Sequence, residues 1–212
     1  MPVLVYIVTA LAAYLLGSIP FGFLVAKAKG IDIRSVGSGN IGATNAMRVL
    51  GKPVGIFVLL MDALKGYTAV ASLPVLILKF FGTPASDLET LRIIAGIFAV
   101  LGHNYTCWLK FKGGKGIATT AGVFLALAPW ALLIALVVFI LAVLVTRYVS
   151  VGSIAAGIAL PAAVWIMAPH NILLGIVTTA LGALAIYKHK SNIQRLMAGT
   201  ENRLGQKPEA TK

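Results

Sequence analysis

Ile117-Ala-Thr-Thr-Ala-Gly-Val-Phe-Leu-Ala-Leu-Ala-Pro129 is the stretch on which the fold turns. It is apolar and uncharged, yet its thirteen residues fall well short of the ~20 that a helix needs to cross the hydrocarbon of a bilayer. Longer apolar runs flank it: Val3–Ala26, Val54–Leu78 and Leu91–Tyr105 before, Trp130–Val145, Val151–Met167 and Ile172–Tyr187 after. Counting the short run gives seven spans. Every Lys and Arg except Lys65, Lys79 and Arg92 then lies on one face, in 27–52, in 110–115, at Arg147 and in 188–212. Omitting it separates Arg147 from 110–115 and turns the C-terminal tail to the other side. Cationic loops concentrate on the cytoplasmic side. The chain is therefore predicted to be an all-α integral membrane protein, a seven-transmembrane-helix bundle with one helix short, N-terminus out and C-terminus cytoplasmic. Tilt, neighbouring helices or local bilayer thinning would accommodate the short helix.

Composition agrees. The 212 residues are 59% hydrophobic and 11% charged, with a mean hydropathy of +0.94, whereas soluble domains carry about 25% charge. A single membrane domain over 1–212 is expected, with 204–212 a flexible cytoplasmic tail. The net charge of +12 sits between apolar spans, which argues against nucleic acid and for an anionic partner. The first run is followed, not preceded, by Lys27 and Lys29. A signal peptide has the opposite order, so a retained helix is expected. Cys107 is alone and forms no internal disulfide. Small residues spaced as in Gly152-Ser-Ile-Ala-Ala156 favour close helix contacts.

Three polar clusters share the basic face. In Ser35-Val-Gly-Ser-Gly-Asn-Ile-Gly-Ala-Thr-Asn-Ala-Met-Arg48, Gly37 and Gly39 flank Ser38 and allow a tight turn. A helix starting near Asn40 would align Asn40, Thr44 and Arg48 on one face, beside an N-terminus suited to an anion; the plainer alternative is a capped packing loop. In Lys110-Phe-Lys-Gly-Gly-Lys-Gly116, Lys112, Gly113, Gly114 and Lys115 read as a phosphate nest, or as a flexible positive loop. It is no Walker loop, because Leu109 and Gly116 stand where that motif needs Gly and Ser/Thr. In His189-Lys-Ser-Asn192-Ile-Gln-Arg195, His189 and Asn192 share a helix face, although a lipid-headgroup contact explains such a cluster too. Asp62 and Lys65, at i and i+3 within a span, are expected to pair, with a relay or substrate contact as the other reading. His103 and Asn104 are expected to support the site from behind. No metal-ligand spacing occurs, and no metal or cofactor is expected.

These stretches, with Gly17-Ser-Ile-Pro-Phe-Gly22 and Leu101-Gly-His103, resemble the motifs of the bacterial acyl-phosphate:glycerol-3-phosphate acyltransferase family (PlsY) in order and spacing from 17 to 204. The resemblance implies transfer of a fatty acyl group from acyl phosphate to the 1-hydroxyl of glycerol 3-phosphate. Lysophosphatidic acid and phosphate would form at the cytoplasmic face of the bacterial inner membrane, in the first step of phospholipid synthesis. It implies a peripheral acyl-phosphate synthase (PlsX type) as donor source and membrane lipid around the site. Residues carried over are Ser38, His189 and Asn192 as catalytic. Gly37, Gly39, Asn40, Thr44, Asn45, Arg48, Lys112, Gly113, Gly114 and Lys115 are carried over as substrate-binding, with Ser38, Arg48 and Lys115 on the glycerol 3-phosphate phosphate. None of His103, His170 or His189 has an Asp five positions on, so the His-x4-Asp pattern of the other glycerol-phosphate acyltransferases is missing. An organophosphate transporter is the competing class. It should carry polarity through the midplane, where only Asp62 and Lys65 stand.

Overall fold

The computed structural model describes residues 3–205 and is all-helical among them. Of the tail expected at 204–212, residues 206–212 lie outside the described residues. The chain forms two compact units, Met1–Leu127 and Ala128–Lys212. The first contains α1 (Val3–Ser18), α2 (Phe21–Ala28), α3 (Ala43–Leu50), α4 (Lys52–Ala71), α5 (Leu73–Phe81), α6 (Leu88–Asn104) and α7 (Ile117–Leu127). The second contains α8 (Pro129–Thr146), α9 (Val149–Met167), α10 (Ile172–Lys188) and α11 (Lys190–Met197).

All seven apolar runs are helical. Four helical stretches are long and apolar enough to cross a membrane: Val3–Ala28, Lys52–Phe81, Pro129–Thr146 and Val149–Met167. The pair Ile172–Lys188 and Lys190–Met197, bent by 51°, makes a fifth if counted as one. Two runs are shorter than that test, α6 at 17 residues and α7 at 11.

The helices are sorted in the reverse of a soluble protein. Helix α1 buries Val5, Thr9, Ala13, Gly17 and Ser18 and exposes Leu4, Ile7, Leu11 and Leu15. Helix α4 exposes Leu60 and Leu64, and α8 exposes Leu141, Leu144 and Val145. Large apolar side chains outside and small ones inside suit lipid, where packing rather than hydrophobicity draws helices together. The contacts are backbone-close. A Cβ at Gly17 of α1 would run into the Ala99 carbonyl of α6, and one at Gly122 of α7 into the Ala63 carbonyl of α4. In the second unit, a Cβ at Gly182 of α10 would meet the Gly157 carbonyl of α9. Hydroxyls buried in these seams bond back to their own helix, as Thr9 does to Val5 at 2.8 Å and Thr178 to Leu174 at 2.6 Å.

The first span is broken at Ile19-Pro20. Proline lacks the N–H that would continue the ladder. The break leaves the Ile19 carbonyl turned to other partners, Phe21 N–H at 3.2 Å and Lys65 Nζ at 2.8 Å.

Replacing Gly122 by Val should lower stability by about 3 kcal/mol, because backbone must move to admit the side chain. Leu144→Ala, on an outward face, should change it by less than about 0.5 kcal/mol. Thermal unfolding in one detergent compares the two.

Candidate active site

The first cluster is a loop organised by one amide. Asn45, 2% exposed, sits in α3 and accepts the Ser38 N–H at 2.8 Å. Its Nδ2 group donates toward the carbonyls of Ile33, Val36 and Asn40 at 3.2, 3.1 and 2.9 Å. With two protons for three acceptors, one bond is shared. Gly37 lies in the left-handed region (φ 60), and a Cβ there would run into Asn45 Oδ1. The amide therefore grips the backbone while Ser38 stays exposed at the tip. Asn45 shapes the loop; its amide is engaged with protein.

The helix begins three residues later than the sequence suggested, at Ala43. Asn40 precedes it and caps the turn, accepting the Gly42 N–H at 2.8 Å. Asn40 thus leaves the expected row, while Thr44 (exposed) and Arg48 (half-buried) remain one turn apart in α3. The N–H groups of Ser38 and Gly39 are already bonded, to Asn45 Oδ1 and to the Val36 carbonyl at 3.1 Å. Asp32, at the edge of this loop, takes three hydrogen bonds from Arg34, two from its side chain and one from its backbone N–H. These bonds hold its carboxyl at about 2, which makes it a poor base at neutral pH.

The second cluster lies in the same unit. Leu109 tucks into a core with Ala26, Ile33, Ile41, Ala46 and Val58, so both loops rest on one apolar seat. Lys110 and Phe111 are both left-handed (φ 55 and 60) and exposed. Gly113 N–H donates to the Asn104 carbonyl at 3.2 Å and Gly114 N–H to the His103 carbonyl at 3.0 Å. Two of the N–H donors expected in the nest, those of Gly113 and Gly114, are thus bonded to backbone. The glycines serve close approach instead: a Cβ at 113 would meet the His103 carbonyl, and one at 114 the His103 ring. Lys112 is exposed and Lys115 half-buried on the loop so held.

The third cluster belongs to the second unit. His189 is the junction of α10 and α11, 3% exposed, with Nδ1 2.7 Å from the Ala185 carbonyl. A carbonyl only accepts, so Nδ1 carries the proton and a neutral ring presents an acceptor at Nε2. Asn192, 5% exposed, donates Nδ2 to Glu201 Oε1 at 2.7 Å. Glu201 also receives Arg195 Nε on Oε2 at 2.7 Å and Ser150 Oγ on Oε1 at 2.9 Å. Burial pushes the Glu201 carboxyl up, but the hydrogen bonds from Asn192, Arg195 and Ser150 outweigh it and hold it below the usual range. The segment after α11 returns onto the α8–α9 turn: Leu204 N–H bonds the Arg147 carbonyl at 2.7 Å and Arg203 Nε the Tyr148 hydroxyl at 3.1 Å.

With the three clusters in place, residues 7–199 match the family model for glycerol-3-phosphate acyltransferase. The chain belongs to the glycerol-3-phosphate acyltransferase family. The member from Geobacter metallireducens is 53% identical over 200 residues, covering 94% of this chain and 98% of the relative. That from Geotalea daltonii is 47% identical over 196 residues, covering 92% and 96%. Among solved structures, PlsY (YgiH), described as an integral membrane glycerol 3-phosphate acyltransferase, aligns in its glycerol 3-phosphate form with a TM-score of 0.83 and 41% identity. That alignment covers 94% of this chain and 96% of the other. The lysophosphatidic acid form of the same protein gives 0.81 and 40%. This glycerol-3-phosphate acyltransferase family member is accordingly an integral membrane protein.

Sequence reasoning gave neither Glu201 nor Ser150 a part in the third cluster. The signal was present, because Glu201 is the only carboxylate between Glu89 and Glu209 in a strongly cationic region. In this family member it joins α11 to the start of α9. The lowered Glu201 pKa means that its stabilisation is complete above the ordinary carboxyl value of 4.5 and is lost as pH falls through the folded value. Glu201→Gln turns one acceptor toward Arg195 into a donor. It should cost about 2 kcal/mol, read as a lower unfolding temperature at pH 7 and a smaller difference from wild type at pH 3.5.

Proposed function

We propose that the chain transfers a fatty acyl group from acyl phosphate to the 1-hydroxyl of glycerol 3-phosphate, releasing phosphate and lysophosphatidic acid, as the first step of bacterial phospholipid synthesis. The observation that carries this reading is the mounting of Ser38 and Lys115. Each stands on a loop held from beneath, Ser38 by Asn45 and Lys115 by the His103–Asn104 carbonyls, in a chain matching the family over 7–199. A preformed cationic and hydroxyl surface suits a small phosphorylated substrate.

In this reading the activity belongs to the single domain 1–212, with 204–212 as its cytoplasmic tail, and all seven helical runs span the bacterial inner membrane. The N-terminus is outside and the C-terminus cytoplasmic, which gathers the three clusters on the cytoplasmic side. The acyl phosphate comes from a peripheral synthase, and the product stays in the lipid. No metal or cofactor takes part.

Arg48, Lys115 and Ser38 bind the glycerol 3-phosphate phosphate, Arg48 as a planar fork and Lys115 as a point charge. Gly37, Gly39, Asn40 and Asn45 set the first loop, Gly113 and Gly114 the second, and Thr44 and Lys112 line the approach. The 1-hydroxyl oxygen attacks the acyl carbonyl carbon, that carbon's bond to the phosphate oxygen breaks, and phosphate leaves. Phosphate is already a good leaving group, so positioning supplies several kcal/mol and an oxyanion donor about 3 kcal/mol. The hydroxyl proton goes to the substrate's own phosphate. Asn192 orients the donor. His189, whose Nδ1–H is engaged with Ala185, stands beside Asn192 at the acyl-phosphate end and orients the carbonyl.

The first test uses purified protein in lipid with radiolabelled glycerol 3-phosphate and either palmitoyl phosphate or palmitoyl-CoA. Lysophosphatidate should form from the acyl phosphate alone, and Arg48→Ala should raise KM for glycerol 3-phosphate about tenfold or more. Product from the CoA ester alone refutes the donor assignment. Uptake of label into vesicles without product makes the chain a transporter.

The second test is the rate against pH. It should rise as the substrate phosphate ionises near about 6, with His189→Gln leaving that limb in place. Loss of the limb in His189→Gln would make His189 the base.

A further inference from the structure

The mechanism above leaves one buried ionisable cluster without a task. Lys65 and Asp62 of α4 are 3% and 2% exposed, and His103 at the end of α6 is 5% exposed. Lys65 Nζ lies 2.8 Å from Asp62 Oδ1, 2.8 Å from the Ile19 carbonyl at the break between α1 and α2, and 3.0 Å from His103 Nδ1. We propose that Asp62 and Lys65 form a positioning device that locks the His103 ring against Gly114, and thereby sets the second loop and Lys115 for the substrate phosphate.

An ammonium has three protons and no lone pair. Here three groups surround it: Asp62 Oδ1, which pairs with it by charge, and the Ile19 carbonyl and His103 Nδ1, which lie at hydrogen-bond distance; the carboxylate and the carbonyl cannot donate. The third, His103 Nδ1, must therefore offer its lone pair. That fixes the ring as the neutral tautomer with its proton on Nε2. The alternative, an imidazolium donating to Asp62, would use the longer 3.5 Å separation between His103 Nδ1 and Asp62 Oδ1. It would also leave a net positive charge buried beside an already neutralised pair, which is strongly unfavourable.

The far edge of the ring is the surface on which the loop sits. A Cβ at Gly114 would run into His103 Nε2, and the Gly114 N–H bonds the His103 carbonyl at 3.0 Å. Ring and backbone of one residue thus support the same glycine, one position before Lys115. Lys65 holds the opposite edge of the ring, so a turn of the imidazole lifts or drops the loop. A buried ion pair seldom adds net stability over apolar packing. Its use here is directional: a tetrahedral donor ties the α1–α2 break, α4 and α6 to one ring orientation.

The inference rests on the reading that the second loop binds the glycerol 3-phosphate phosphate, so one measurement is independent of activity. Nitrogen-15 spectra of the wild-type protein in detergent, with the His103 signal assigned by its loss in His103→Asn, should show a neutral ring protonated at Nε2. In the volume-conserving double variant Asp62→Leu/Lys65→Met the signal should show a mixture of tautomers. A wild-type ring protonated at Nδ1, or charged, overturns the locking, whether or not the chain is an acyltransferase.

The second arm is kinetic. The double variant, with an unfolding temperature close to wild type, should raise KM for glycerol 3-phosphate about tenfold and change kcat less than about threefold. If the double variant does not fold, the cycle of His103→Asn with Gly114→Ala decides. Gly114→Ala should raise KM strongly where the ring is present and add less than about twofold where His103→Asn has vacated the space. Equal effects in both backgrounds, or a double variant with wild-type KM, refute the proposal. Absence of any acyl transfer by the wild type, with the expected spectra, refutes the functional reading and leaves the locked ring standing.

Discussion

A charged amine among helices that face lipid has nowhere to send its protons except to the protein itself. Lys65 meets that constraint with a carboxylate from its own helix, a carbonyl freed by the proline break in the first span, and an imidazole from α6. Each partner fixes something. The carboxylate cancels the charge, the carbonyl closes the interruption at Ile19-Pro20, and the imidazole gives the second loop its seat. The apolar helices could pack without this cluster, but the polar end of the first unit would have no fixed reference.

The same principle recurs at a smaller scale. Every polar loop proposed to take part in chemistry is built on a buried group that is not itself aimed at substrate. Asn45 holds the backbone from Ile33 to Asn40 while Ser38 stays exposed. The carbonyls of His103 and Asn104 hold Gly113 and Gly114 while Lys115 follows. Glu201 gathers Ser150, Asn192 and Arg195 beside the His189 junction. Loops rich in glycine are conformationally costly to order. Anchoring them to buried amides and carboxylates, where hydrogen bonds are least exposed to water, offsets that cost and keeps the side chains preorganised.

The outward faces of the helices carry a different constraint. Leu11, Leu64, Leu144 and Val145 point away from the protein while glycines and small residues line the seams. Close backbone approach at Gly17 and Gly122 leaves no room for side chains, so helix placement there is tightly constrained. That precision reaches the loops, because α6 and α7 end directly in the second one.

The sequence alone determined the helices and the polar clusters. Apolar runs of this length cannot satisfy their backbone in lipid except as helices, and amides and cations crowd into three polar stretches outside those runs. It also determined the pairing of Asp62 with Lys65, because i and i+3 positions meet on any helix. It did not reveal that α3 begins at Ala43, that Asn45 is a scaffold residue, that two glycine N–H groups of the expected nest are bonded to backbone, or that Glu201 is a hub. The hub depends on residues far apart in the chain, Ser150 with Glu201, and the others on loop contacts that helical periodicity does not encode, such as Ser38 with Asn45 and His103 with Gly114. Local periodicity says which face a residue occupies. Only tertiary contacts decide which of its hydrogen-bonding atoms remain for a substrate, because a buried donor binds the nearest acceptor the fold brings to it.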